Sequence, residues 1–153
     1  MDTDVEQLIR KHLQTGHMMQ VASVSGDQPW ICTVYYVADD ETLNLYWISV
    51  PGRRHSQEIE AHGKVAAAIP IIFVQGEKVV GIQVEGDAAP VTDAAELRKA
   101  AQLYHDRFQH DDTFVEEFTA GKRQHRFYRI KPRLFVLFDE QQFATNARKE
   151  WRP

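Results

Sequence analysis

Apolar residues recur along this chain with two different periods. Val5, Leu8, Ile9 and Leu13 fall at helical spacing, Thr3 and Glu6 would open that helix as a Thr-x-x-Glu capping box, and Gly16 can stop it. From His17 the period becomes that of strands. Residues 18–24 and 30–37 are rich in β-branched and aromatic side chains, and Ser25-Gly26-Asp27 lies between them as a turn. Asp39-Asp40-Glu41 interrupts the run and residues 43–48 resume it. Three strands joined by short polar turns predict an antiparallel meander, because parallel strands need longer crossovers. A loop from Ser49 to Ser56 leads into a short helix ending near His62-Gly63, and residues 65–69 and 71–74 read as a buried strand broken at Pro70. Gln75-Gly76-Glu77-Lys78 is a hairpin turn into a long strand, residues 79–88, whose Gly81 and Gly86 suggest a bulge or a close approach to the backbone. Thr92 or Asp93 with Glu96 caps a helix carrying Leu97, Ala100, Ala101, Leu103, Tyr104 and Phe108, and Thr113 with Glu116 caps a shorter one. Residues 127–130 and 134–138 are strands on either side of Pro132, and a polar tail with one Trp follows. About six strands with short helices, and no regular βαβ crossovers, predict a mainly β domain over residues 1–153: an antiparallel barrel or sandwich decorated by helices.

Composition narrows the function classes. A chain of 153 residues, 43% hydrophobic and 26% charged, is sized and composed like one soluble globular domain. Its longest apolar run, residues 65–74, is interrupted by Pro70 and is about half the length of a membrane-spanning helix. The acidic start Met1-Asp2-Thr3-Asp4 lacks the basic-then-apolar order of a signal peptide, so no membrane is expected. A single cysteine, Cys32, cannot make an internal disulfide, and a reducing cytoplasm is the expected location. With 18 basic against 22 acidic residues, the chain has no basic excess to offer a nucleic acid.

Dinucleotide, Walker and nucleophile-elbow motifs are absent. Cys32, mid-strand beside Trp30 and Ile31, reads as a buried structural thiol. Trp30, Trp47 and Phe135 read as core. His105, His110, Asp111 and Asp112 have metal-ligand chemistry but fit a solvated helix end better, so no metal is expected. The most informative local feature is Arg53-Arg54-His55-Ser56. Two guanidiniums, an imidazole and a hydroxyl stand just before a helix whose free amides favour anions, a pattern suited to phosphate oxygens. A plain basic surface turn is the competing reading.

That loop follows Leu45-Tyr46-Trp47-Ile48-Ser49 and precedes a short helix, a Val-Ala-Ala-Ala strand and, later, Ile82-Gln83-Val84-Glu85-Gly86. In this order, from about Met18 to Phe138, the chain resembles the pyridoxamine 5′-phosphate oxidase-like family, the FMN-binding split barrels. Tyr104-His105-Asp106-Arg107-Phe108 is similar to the Tyr-x-x-Arg-Phe of small stand-alone members, and the tail through Lys149 and Trp151 to the ending of some of them. The resemblance implies a six-stranded antiparallel split β-barrel and a homodimer with FMN in clefts between subunits. Carried over by position, Cys32, Thr33, Val34 and Tyr35 would lie along the flavin ring, with Trp47, Ile48 and Ser49 flanking the ring and ribityl chain. Arg53, Arg54, His55 and Ser56 would hold the phosphate, and Gly81 and Gln83 would reach the flavin from near the interface. Tyr104, His105 and Arg107 are placed either at the mouth of the cleft or on a helix packed against the barrel, with Tyr104 half-buried. Trp151 is placed to fold over the cofactor or to be disordered.

Two departures qualify the likeness. His55 stands where typical members carry Lys, which implies weaker and pH-dependent phosphate binding. The oxidase's substrate-binding stretch of Ser, Gly, Ala and Trp is replaced by the acidic residues 109–117, so pyridoxamine phosphate oxidation is not expected. The leading expectation is an FMN-dependent oxidoreductase acting on a small molecule, with a nicotinamide cofactor or oxygen as the other redox partner. A non-catalytic flavin-binding or sensing protein, a haem-handling member using His55, a deazaflavin binder and a cofactor-free dimer are the alternatives.

Overall fold

In the computed structural model, which describes residues 4–153, helix α1 (Val5–Thr15) opens on Asp4. Its carboxylate accepts hydrogen bonds from the Glu6 and Gln7 amides at 3.0 and 3.3 Å. Thr3 of the expected capping box lies outside the described residues. Ile9 and Leu13 bury the inner face of α1, and Gly16 ends it. A side chain at Gly16 would strike the Tyr36 hydroxyl, which donates to the Leu13 carbonyl at 2.8 Å.

Strand β1 (Met18–Ser25) turns at Gly26, in the left-handed region at φ 59°, into β2 (Gln28–Tyr35). After Tyr36 the same run of chain becomes β3 (Val37–Ala38), and a turn leads to β4 (Leu45–Ser49). Then come α2 (Arg54–His62), β5 (Lys64–Ile72), β6 (Val80–Pro90), α3 (Ala94–Phe108), α4 (Phe114–Thr119), β7 (Arg126–Asp139) and β8 (Arg148–Trp151).

All strands join one antiparallel sheet in the order β2-β1-β5-β6-β7-β4-β3, with β8 on β7. The segments β2 and β3, adjacent in sequence, stand at opposite ends of that order. Only a sheet curled round on itself can connect its two ends through one residue, so the barrel closes at Tyr36. Counting β2 and β3 as one bent strand gives the expected six-stranded barrel, with β8 added. The expected meander is corrected: β4 pairs with β7 and, through Leu45 and Tyr46 alone, with β3, so it does not extend the β1–β2 hairpin. Beyond Tyr46 the wall is split between β2 and β4.

Neither proline breaks its strand. β5 continues through Pro70 with a register shift before Ile72, and stops short of Val74. β7 runs through Pro132 and bulges by one residue, Arg133, opposite the step from Glu85 to Gly86, where a Cβ on Gly86 would lie 2.6 Å from the Lys131 carbonyl oxygen.

Trp47, stacked on Tyr128 at 5.6 Å, fills the barrel interior with Met19, Ile69 and Phe135. Outside the β4–β7 wall, α3 and α4 lay Ala100, Ala101, Tyr104, Phe114 and Phe118 over Tyr46 and Phe127. Trp30 corrects its expected place in the core. It shares the inward parity of Cys32 and Val34 but lies past the end of the barrel, 43% exposed. Cys32 is half-buried, and desolvation still pushes its thiol pKa up. Trp151 is also corrected: β8 pairs with residues Phe135 to Phe138 of β7, and the indole stacks on Phe135 at 6.0 Å. No described helix is long and apolar enough to cross a membrane.

Candidate functional site

Where β2 parts from β4, the wall opens into a cavity of about 340 Å³. Thr33, Val34 and Tyr35 line it from β2, Ile48, Ser49 and Val50 from β4 and its loop, and Tyr104 from α3. Its three basic residues come from two places near the end of β4. Arg53 and His55 open α2, and the Ser49–Arg126 register sets His125, one residue before β7, beside the same loop. None of the ten lining residues is a carboxylate, so the cavity favours anions.

The strand edges matter as much as the side chains. Among the described residues, β2 pairs only with β1, and β4 beyond Tyr46 pairs only with β7. Alternate N–H and C=O groups of both strands therefore turn toward the split with no ladder partner. Backbone groups in such a place require partners, and a flat molecule carrying donors and acceptors along its edge supplies them.

The loop between β4 and α2 is internally braced. His55 Nε2 lies 2.8 Å from Ser49 Oγ, and the fully buried Ser56 hydroxyl donates to the Val50 carbonyl at 3.1 Å. Burial, reinforced by Arg53, pushes the His55 pKa below its usual value against the smaller pull of Glu58, so the ring is neutral at pH 7. Among the described residues no side chain caps α2, which leaves its first amides available near Arg53 and His55.

Of the residues singled out from sequence, Thr33, Val34, Tyr35, Ile48, Ser49, Arg53 and His55 meet at this cavity. The others go elsewhere. Cys32 packs against the barrel core, and alternation along β4 turns Trp47 fully inward, its Nε1 buried without a partner. Ser56 sits behind the loop. Arg54 donates from Nε to Glu58 at 2.9 Å, with its guanidinium 4.1 Å from the Trp30 ring centroid. Gly81 and Gln83 lie on the outer face of the sheet, in an apolar concavity of about 560 Å³ shared with Phe73, Phe138 and Arg148. The group that closely approaches Gly81 is the Phe73 ring, 2.8 Å from where a Cβ would stand.

Sequence reasoning missed Val50, next to Ser49 in the same loop, and His125, which only strand register brings here. Tyr104 is more buried than expected, 5% exposed, yet it lines the cavity. Burial pushes its hydroxyl pKa up to about 12, so it is a hydrogen-bond donor at neutral pH. Arg107 instead donates to the Gln14 and Gly16 carbonyls, tying α3 to the end of α1. The acidic stretch builds α4 and its surroundings: Asp111 accepts from Thr113, Glu116 pairs with Arg98, and Glu117 with Arg123. His110 stacks on Phe114 at 4.1 Å, and His105 stands edge-on to the same ring. Among the described residues, no three His, Cys, Asp or Glu side chains gather as a metal ion would need.

A family model described as pyridoxamine 5′-phosphate oxidase matches residues 5–138. A UPF0306 protein of Yersinia enterocolitica is 28% identical over 101 residues, which are 66% of this chain and 68% of that one. A heme binding protein from Mycobacterium smegmatis superposes with a TM-score of 0.78 at 10% identity, over 99% of this chain and 59% of that one. A FAD-binding protein from Mesorhizobium loti superposes with a TM-score of 0.61 at 20% identity, over 82% and 87%. At these identities the two solved structures show a shared fold.

Proposed function

The chain belongs to the pyridoxamine 5′-phosphate oxidase family, and from that premise we propose that it binds FMN in the split between β2 and β4 and serves as an oxidoreductase toward a small molecule. One observation carries this reading: two unpaired strand edges flank a carboxylate-free cavity that gathers Arg53, His55 and His125. Arg53, His55 and His125 would hold the phosphate, with the first amides of α2 behind them. The edges of β2 and β4 would meet the polar rim of the flavin ring, Ile48 and Tyr35 would cover it, and Tyr104 would offer a proton donor. Bound flavin supplies hydride or electron transfer, with a nicotinamide cofactor or oxygen as the other partner, and the protein supplies orientation and electrostatics. Since Arg107 is spent on backbone carbonyls and residues 109–117 are acidic, the substrate would differ from pyridoxamine phosphate.

Two copies would pair through the outer sheet face. Ala66 and Ala68 floor it with small side chains, and Ile31 and Phe73 stand on it 60% and 66% exposed. Gly81 and Gln83 would then serve a cofactor held by the other copy. The lone cysteine suits a cytoplasmic setting. In a haem-handling reading His55 would ligate iron, but its Nε2 is engaged by Ser49 beside the Arg53 cation, which favours flavin.

The deciding experiment is an absorption spectrum after incubation with FMN and desalting. Retained flavin bands, shifted from those of free FMN, are expected. A colourless protein would overturn the proposal, and a Soret band on adding haem would turn it toward that alternative. Reduction of the bound flavin by a nicotinamide would then separate an oxidoreductase from a flavin store.

His55 adds a pH prediction. Its ring is neutral in the free protein because its pKa is depressed, whereas a neighbouring phosphate dianion favours the imidazolium. FMN binding at pH 7 should therefore take up protons, seen as a dependence of the calorimetric enthalpy on buffer ionisation heat. Riboflavin, which lacks the phosphate, should show none, and His55→Gln should reduce the uptake.

A further inference from the structure

Arg54 is the one residue of the 53–55 basic run that does not line the cleft. Its Nε donates to Glu58 Oε1 at 2.9 Å, one helical turn on, and the other oxygen of Glu58 accepts from Ser23 Oγ on β1 at 2.6 Å. Ser23 and Glu58 are 3% and 8% exposed, so this carboxylate has little water to fall back on. The guanidinium carbon lies over the Trp30 ring of β2. One side chain in the first turn of α2 thus joins both strands of the hairpin whose far end borders the cleft. Successive side chains on a helix point about 100° apart, so fixing Arg54 against the hairpin also fixes the direction of His55, and with it the loop that carries Arg53.

We propose that Arg54 is a positioning residue. Through Glu58, Ser23 and Trp30 it clamps the start of α2 to the β1–β2 hairpin, and so sets where Arg53 and His55 present their nitrogens to an anion, without touching that anion itself. The anion's identity rests on the flavin reading; the clamp does not.

The alternative, Arg54 as a phosphate ligand parked on Glu58, makes the opposite prediction for one substitution. Glu58→Gln keeps the volume and a partner for Ser23 but releases the guanidinium. If Arg54 were a ligand, its release would tighten FMN binding. As a clamp, its release should weaken FMN binding by about 2- to 30-fold, the range for residues that act on a site through a packed network. Riboflavin affinity should stay unchanged, so the FMN-to-riboflavin ratio falls. Arg54→Lys keeps the charge but loses the guanidinium over Trp30 and the Nε donor. It should lower the ratio as Glu58→Gln does, and the double variant should be no worse than either single one.

The same variants are read without flavin by titrating inorganic phosphate and following the His55 imidazole by NMR. The wild-type signal should shift toward the protonated form, and the shift should shrink in both variants. Tighter FMN binding in Glu58→Gln, or an unchanged ratio and unchanged His55 titration in both variants, would overturn the clamp. A wild type that binds no flavin, while its His55 responds to phosphate only with the clamp intact, would overturn the flavin reading and leave the clamp standing. A wild type that binds no flavin and whose His55 ignores phosphate would remove both.

Discussion

Replacing Arg53 by alanine should raise the Kd for FMN by about 10- to 150-fold, the loss of about 1.5–3 kcal/mol expected for a hydrogen bond to a charged group. The affinity for riboflavin should stay close to that of the wild type. Among the described residues Arg53 has no carboxylate partner, whereas Arg54 is held by Glu58. Arg53 is exposed at the start of α2 and lines the cleft, so its guanidinium is free for a ligand there. Fluorescence titration with the two flavins side by side measures the difference. Equal losses for both would mean that Arg53 maintains the shape of the loop rather than holding phosphate.

A second large effect is expected on the opposite side of the sheet. Ala68 is exposed and pairs with Gln20 of β1 and Gln83 of β6 in the middle of the outer face. Ala68→Arg should leave the isolated barrel within about 0.5 kcal/mol of its original stability, as surface substitutions usually do. If a second copy covers that face, it must now bury an unpaired guanidinium, at a cost of about 3–5 kcal/mol. Sedimentation should then show a monomer, and desalting should strip it of FMN. A monomer that keeps its flavin would contradict a site shared between copies. An unchanged dimer would move the interface to another face.

Much of the barrel was legible because its signals are local. The Gly26 turn, period-two alternation in β1 and the Asp93 cap of α3 each follow from a few neighbouring residues. Closure was not legible, because residues 30–37 read as one strand and nothing local tells the chain that Tyr36 sends its halves to opposite sheet edges. The site divides in the same way. Arg53, His55 and residues Thr33 to Tyr35 carry their chemistry in sequence. The direction of Arg54 depends on a carboxylate four residues later and a hydroxyl on β1, and His125 depends on the β4–β7 register. Trp30 was misjudged because parity fixes which way a side chain points, not whether the barrel extends far enough to cover it.

The short strand β8 bears on how this chain avoids its own kind. It covers the edge of β7 from Phe135 to Phe138, a stretch reading Phe-Val-Leu-Phe, with the sequence Arg-Lys-Glu-Trp. A strand edge that apolar is a template for cross-β pairing, and natural sheets shield such edges with short, charged segments. A chain cut before Arg148 would keep the barrel's interior strands but bare that ladder, and its failure would appear as concentration-dependent aggregation rather than loss of fold. Three charged residues and one indole thus act as gatekeepers for this apolar stretch of the wall.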